Sequence, residues 1–102
     1  MKNKTELLEP IHPGEILQEE FMAPLGLTIN ALSRDLHVPV TRISEIVNKR
    51  RGITGDTALR LARYFRNTAQ FWLNLQTRYH LMMLDDRRGR IEKGVRPLAK
   101  AA

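Results

Sequence analysis

Arg42, Lys49, Arg50 and Arg51 stand within ten residues that hold a single carboxylate, Glu45. Guanidinium and ammonium groups at this density suit a polyanion. Arg42 can donate two bonds to O6 and N7 of guanine, while Lys49, Arg50 and Arg51 suit phosphates, which position a protein without reading sequence. Thr41 can bond a base edge, and its methyl can meet a thymine methyl; Val40 can do only the latter. Glu45 can accept from cytosine N4, or pair with Arg42 or Lys49 on a helix surface. Spacing and charge alone fit either a DNA-reading face or a solvated basic face.

Other chemistry finds little support. There is no cysteine, which excludes disulfides, thiol nucleophiles and thiolate metal sites. His12, His37 and His80 are not paired at i, i+4 with another ligand, so no metal site and no cofactor is expected. Glu19 and Glu20 are adjacent and cannot face each other on a helix, so they read as a solvated face. Ser33 and Ser44 have no nearby His, and no phosphate loop or nucleophile elbow occurs. The expectation is a binding protein, not an enzyme.

The elements that must carry these residues are all helical. No strand-like alternation of five or more residues is found. His12-Pro13-Gly14 leads into a first helix over about 13–23, with Pro13 early in the helix and Ile16, Leu17 and Phe21 as its apolar stripe. Thr28 caps a second helix, 29–36, with Leu32 and Leu36 inward. After the short break His37-Val38, Pro39 opens a third helix, 39–48, with Ile43, Ile46 and Val47 inward. Thr54 caps a fourth, 55–66, and Thr68 a fifth, 69–84. The fourth buries Ala58, Leu61, Ala62 and Phe65. Two short helices across so brief a break fit a helix-turn-helix unit at 28–48, whose second helix enters the major groove. Phe71, Trp72 and Tyr79 read as core or dimer interface rather than a base-stacking platform. Trp72, Leu75, Tyr79, Met82 and Met83 exceed what a small core needs, and are expected to form a dimer face. Residues 85–102 read as a loose, polar, basic tail, with Asp85-Asp86-Arg87-Arg88 as a solvated helix end or a partner contact.

The charge is unevenly placed. The 102 residues carry a net +6, with a pI near 10.3 and a mean hydropathy of −0.37. Residues 1–27 are acidic, with a net of −3; residues 28–80 carry nine basic and three acidic side chains, and residues 81–102 a further +3. A polyanion partner therefore belongs to the middle of the chain. One domain is expected, over 1–84, because the length leaves no room for a second core. No apolar run approaches a bilayer crossing, and the N-terminus lacks the apolar core of a signal peptide, so a cytoplasmic protein is expected.

Residues 28–66, TINALSRDLHVPVTRISEIVNKRRGITGDTALRLARYFR, resemble the Cro/repressor (XRE-like, lambda-repressor-like) helix-turn-helix. HPGEIL at 12–17, PLGLT at 24–28, RISEIVNKRR at 42–51, TGDTALRLARYF at 54–65 and FWLNLQ at 71–76 extend the likeness to the HigA-type antitoxins, over about 11–84. VRPL at 95–98 also resembles the tails of some members. The resemblance implies a five-helix, all-α fold. It implies a homodimeric repressor of its own operon, bound to a palindromic operator. It implies neutralisation of a HigB-type toxin, an endoribonuclease encoded beside it. By position, the base readers would be Val40, Thr41, Arg42 and Glu45. Thr28, Asn48, Lys49, Arg50 and Arg51 would hold phosphates. The acidic residues Glu6, Glu9, Glu15, Glu19 and Glu20, within or near residues 1–12 and the first helix, are candidates for a basic toxin. A stand-alone phage-type or chromosomal repressor without a toxin is the alternative; a protein-binding adaptor that has lost DNA binding is a third reading. The chain departs from the family pattern at three places. His37 and Lys49 stand where Gly is usual, and Thr41 stands where Asn is common. A left-handed backbone at His37 costs about 1–2 kcal/mol for most side chains, though His tolerates it better than most.

Overall fold

The computed structural model describes residues 9–99. All regular structure among them is helical: α1 (Pro13–Ile16), which runs into a π-helical turn at Leu17–Met22, then α2 (Ile29–Leu36), α3 (Val40–Val47), α4 (Gly55–Phe65), α5 (Ala69–Met83) and α6 (Asp85–Gly94). The five expected helices are present, and a sixth follows them. Glu6 and the other residues before Glu9 lie outside the described residues, as does the end of the tail beyond residue 99.

The caps follow the sequence. Thr28, Thr54 and Thr68 each accept a backbone N–H from the first turn that follows, from Ala31, Thr57 and Phe71 respectively. Pro39 caps α3 rather than opening it. Before α1, the ring of His12 takes the capping role, its Nδ1 accepting from the Gly14 N–H at 2.9 Å. His37 ends α2 in the left-handed region, φ 59° and ψ 46°, and Lys49 follows α3 at φ 64°. These are the two positions where the family pattern usually has Gly. Arg66 ends α4 the same way, at φ 60°.

The core joins Leu17 and Met22 to Leu32, Leu36, Ile43, Ile46, Ile53, Ala58, Leu61, Ala62 and Trp72. Met22 does not fit the stripe drawn at α-helical spacing. The wider π turn brings residues five apart onto one face, so Leu17 and Met22 are buried together. Trp72 has no exposed surface. Its ring lies 4.8 Å from that of Phe21 and 5.1 Å from that of Phe71, and its Nε1 donates to Asn67 Oδ1 at 2.8 Å. This corrects the expectation that Trp72 belongs to a dimer face: the monomer core consumes it, because its helix faces Phe21 and Phe65 there.

The tail also differs from expectation. Residues 85–94 form α6, started by Asp85 and Asp86, which suit the positive end of a helix dipole. None of its residues is buried. Ile91, Val95 and Leu98 are exposed apolar side chains along this segment. No helix among the described residues is long and apolar enough to cross a membrane.

Candidate nucleic-acid interface

α2, the turn and α3 form a helix-turn-helix. The turn closes as a C-cap: the N–H of His37 donates to Arg34 O and that of Val38 to Ser33 O. α4 then clamps it from the side. Arg60 donates through Nη1 to Leu36 O at 2.9 Å and His37 O at 3.4 Å, while Tyr64 donates its hydroxyl to Asp35 at 2.7 Å. That hydrogen bond raises the Tyr64 pKa. From the sequence alone the arginines of the fourth helix read as solvated; Arg60 is instead part of the frame.

α3 turns Ile43 and Ile46 inward and leaves its first turn outward. Val40 is 46% exposed, and Thr41 beside it is also exposed. These two expected base readers therefore stand free on the recognition helix. Arg42 does not. Its Nη1 lies 2.5 Å from Asp56 Oδ2 and 3.5 Å from Thr57 Oγ1, at the start of α4. In the unbound protein Asp56 thus holds one arm of the fork that the sequence offers to a guanine. Arg60 and Arg42, in that order, hold the Asp56 carboxyl below its ordinary pKa.

Glu45 pairs with Arg51 at 2.7 Å, not with Arg42 or Lys49. Lys49 reaches across to Glu15 near the start of the chain, at 3.2 Å. Asn48 turns its amide back to Ser44 O at 2.8 Å and so closes the end of α3. Lys49, Arg50 and Arg51 are all exposed, as is Thr28 at the start of α2. The phosphate-type cations thus follow the C-terminal end of α3, two of them paired with surface carboxylates.

The loop that carries these cations is held by a residue the sequence reading passed over. Gln76, on the core side of α5, accepts the Ile53 N–H through Oε1 at 2.6 Å. Gly52 lies so close to that amide that a Cβ there would stand 2.7 Å from Oε1. The available signal was a polar side chain four residues after Trp72 on the same helical face. Elsewhere on α5, Leu75, Tyr79 and Met82 are half-buried and Met83 is exposed. Among the described residues no group of three or more His, Cys, Asp or Glu is placed to hold a metal.

The family model for "Helix-turn-helix" matches residues 19–72. The chain is 60% identical to virulence-associated protein I of Dichelobacter nodosus, over 74% of this chain and 69% of that one. It is 38% identical to antitoxin HigA-1 of Vibrio cholerae, over 87% and 84% of the two chains. The structure is similar to that of Pseudomonas aeruginosa antitoxin HigA with the higBA promoter, with a TM-score of 0.82, 44% identity, and 88% and 99% of the chains covered. The chain therefore belongs to the helix-turn-helix family, among the HigA-type antitoxins, and is a DNA-binding regulator rather than an enzyme.

Proposed function

We propose that this chain represses the operon that encodes it and neutralises a HigB-type endoribonuclease from the same operon. The observation that carries the reading is the free first turn of α3, Val40 and Thr41, flanked by Asn48, Lys49, Arg50 and Arg51 on an otherwise clamped helix-turn-helix. The similar Pseudomonas aeruginosa antitoxin HigA is seen with the higBA promoter, which supports operator DNA as the partner. In this reading Val40 and Thr41 meet base edges, with Glu45 beside them once Arg51 turns to a phosphate. Thr28 and the free N–H groups at the start of α2 bind a phosphate, as helix N-termini do. Asn48, Lys49, Arg50 and Arg51 finish the backbone contacts.

A homodimer suits the apolar residues of α5 that the monomer leaves partly or wholly exposed. Leu75, Tyr79, Met82 and Met83 on α5 supply its face, without Trp72. Two copies of α3 then enter successive major grooves of a palindrome, about 34 Å apart. The compartment that fits this role is the cytoplasm. The surface proposed for a basic toxin is the acidic edge of Glu9, Glu15, Glu19 and Glu20.

Titration against the DNA upstream of the gene, with random duplex as control, tests the reading at moderate salt. Tighter operator binding is expected, and Lys49→Ala should weaken both duplexes alike and flatten the salt slope by about one unit. Equal affinity for operator and random duplex would sink operator recognition. Co-purification with the product of the adjacent gene tests the second half; if the two do not associate, the chain is a stand-alone repressor.

A further inference from the structure

A single carboxylate oxygen joins the recognition helix to the turn before it. Asp56 Oδ2 accepts from Arg42 Nη1 at 2.5 Å and from Arg60 Nε at 2.9 Å. Arg60 continues to the carbonyls of Leu36 and His37 at the turn. α3, α4 and the end of α2 are therefore tied through Asp56, which sits in the first turn of α4.

The consequence for Arg42 is specific. Its side chain is 27% exposed, against 57% for Lys49 and 45% for Arg51, which are also paired. Arg42 is the most withdrawn of these three cations, although it stands beside Thr41 on the first turn of the helix that reads DNA. A released guanidinium there would carry five N–H donors on a long stem, free to reach a phosphate on any duplex as well as a base edge. The phosphate contact adds affinity without sequence information. Held by Asp56, it adds none.

We propose that Asp56 is a specificity-determining residue: by holding Arg42 against the first turn of α4, it keeps that cation off the phosphates of non-cognate DNA and leaves the base edges to Val40 and Thr41. This rests on the DNA-reading role of α3.

The test is Asp56→Asn, with Asp56→Ser as a second variant that also suits a first helical turn. Each is compared with the wild type on operator and random duplex across a salt series, with circular dichroism to establish that the fold is kept. Random duplex should bind more tightly, with a salt slope steeper by about 0.9 for one added phosphate contact. Between 50 and 200 mM salt, its affinity should then fall about threefold further than that of the wild type. The operator-over-random ratio should drop. In an Arg42→Ala background, neither Asp56 variant should change the slope or the ratio. An unchanged or shallower slope in the single variants would overturn the proposal, and so would the same change appearing without Arg42. If the wild type showed no operator preference, the repressor reading would fail, and the random-duplex slope would still decide the role of Asp56.

Discussion

Gly14 lies directly against the main-chain carbonyl of Ile46: a Cβ at position 14 would overlap its oxygen and stand 2.7 Å from its carbon. The start of α1 is thus seated on the last turn of α3, and the absence of one methyl group sets how closely the two can approach. His12 closes the contact, since its Nδ1 caps the same glycine.

Gly14→Ala is expected to destabilise the fold by about 1–3 kcal/mol or more, as overpacking does where neither neighbour is a flexible side chain. Ile46 is on the recognition helix, so operator affinity should fall as well. Denaturant unfolding and operator titration check the two effects. A variant with unchanged stability would mean that α1 does not seat on α3 in this way.

Gln76→Leu should cost about 1–3 kcal/mol, because it leaves the buried Ile53 N–H without an acceptor. The loop from Asn48 to Thr54 would lose its anchor to α5. Weaker binding to operator and random duplex alike should follow, since Arg50 and Arg51 ride on that loop. Urea denaturation gives the stability change, and amide exchange at Ile53 reports the lost bond directly.

His12 makes stability depend on pH in mild acid. Its pKa is lowered from 6.5, first by burial and then by the nearby charge of Lys49, with Glu15 opposing. The unfolded chain therefore binds a proton at pH values where the folded chain still resists one. Stability from this group is complete above about pH 6.5 and is lost as pH falls from there through the lower folded pKa. Protonation would also remove the lone pair that accepts the Gly14 N–H. Melting temperatures between pH 7.5 and 5 should fall, and His12→Asn, which can still cap α1, should flatten the dependence. Identical slopes for the two proteins would count against His12.

His37→Gly should leave the protein as stable or more stable by up to about 1 kcal/mol. The left-handed backbone at position 37 costs an ordinary side chain about 1–2 kcal/mol, and a glycine returns part of that gain through a freer unfolded chain. The His37 side chain is exposed, and the bonds that close the turn use only its backbone. Thermal unfolding measures the difference. A large loss would show that the imidazole holds the turn.

Much of this protein was legible in its residue order. Threonines at 28, 54 and 68 mark helix starts, the apolar spacing marks the inward faces, and both act within a few residues of chain. The short break at His37-Val38 set the helix-turn-helix, and the basic run from Lys49 to Arg51 set the face that meets phosphates. α6 escaped because Ile91 is its one large apolar residue, so no apolar stripe announces it. Met22 escaped because a π turn changes the period on which stripes are drawn.

What the tertiary structure alone decided lies in contacts between residues far apart in the chain. Arg42 meets Asp56 fourteen positions on, and Ile53 meets Gln76 twenty-three positions on. Trp72 is core rather than interface because Phe21 and Phe65 arrive at its ring from other helices. A helical period fixes which side of each helix faces inward, but not which side chains of neighbouring helices meet. Those meetings depend on helix crossings and on close approaches such as that of Gly14 to Ile46. They decide whether an arginine on the recognition helix faces DNA or a carboxylate of its own chain.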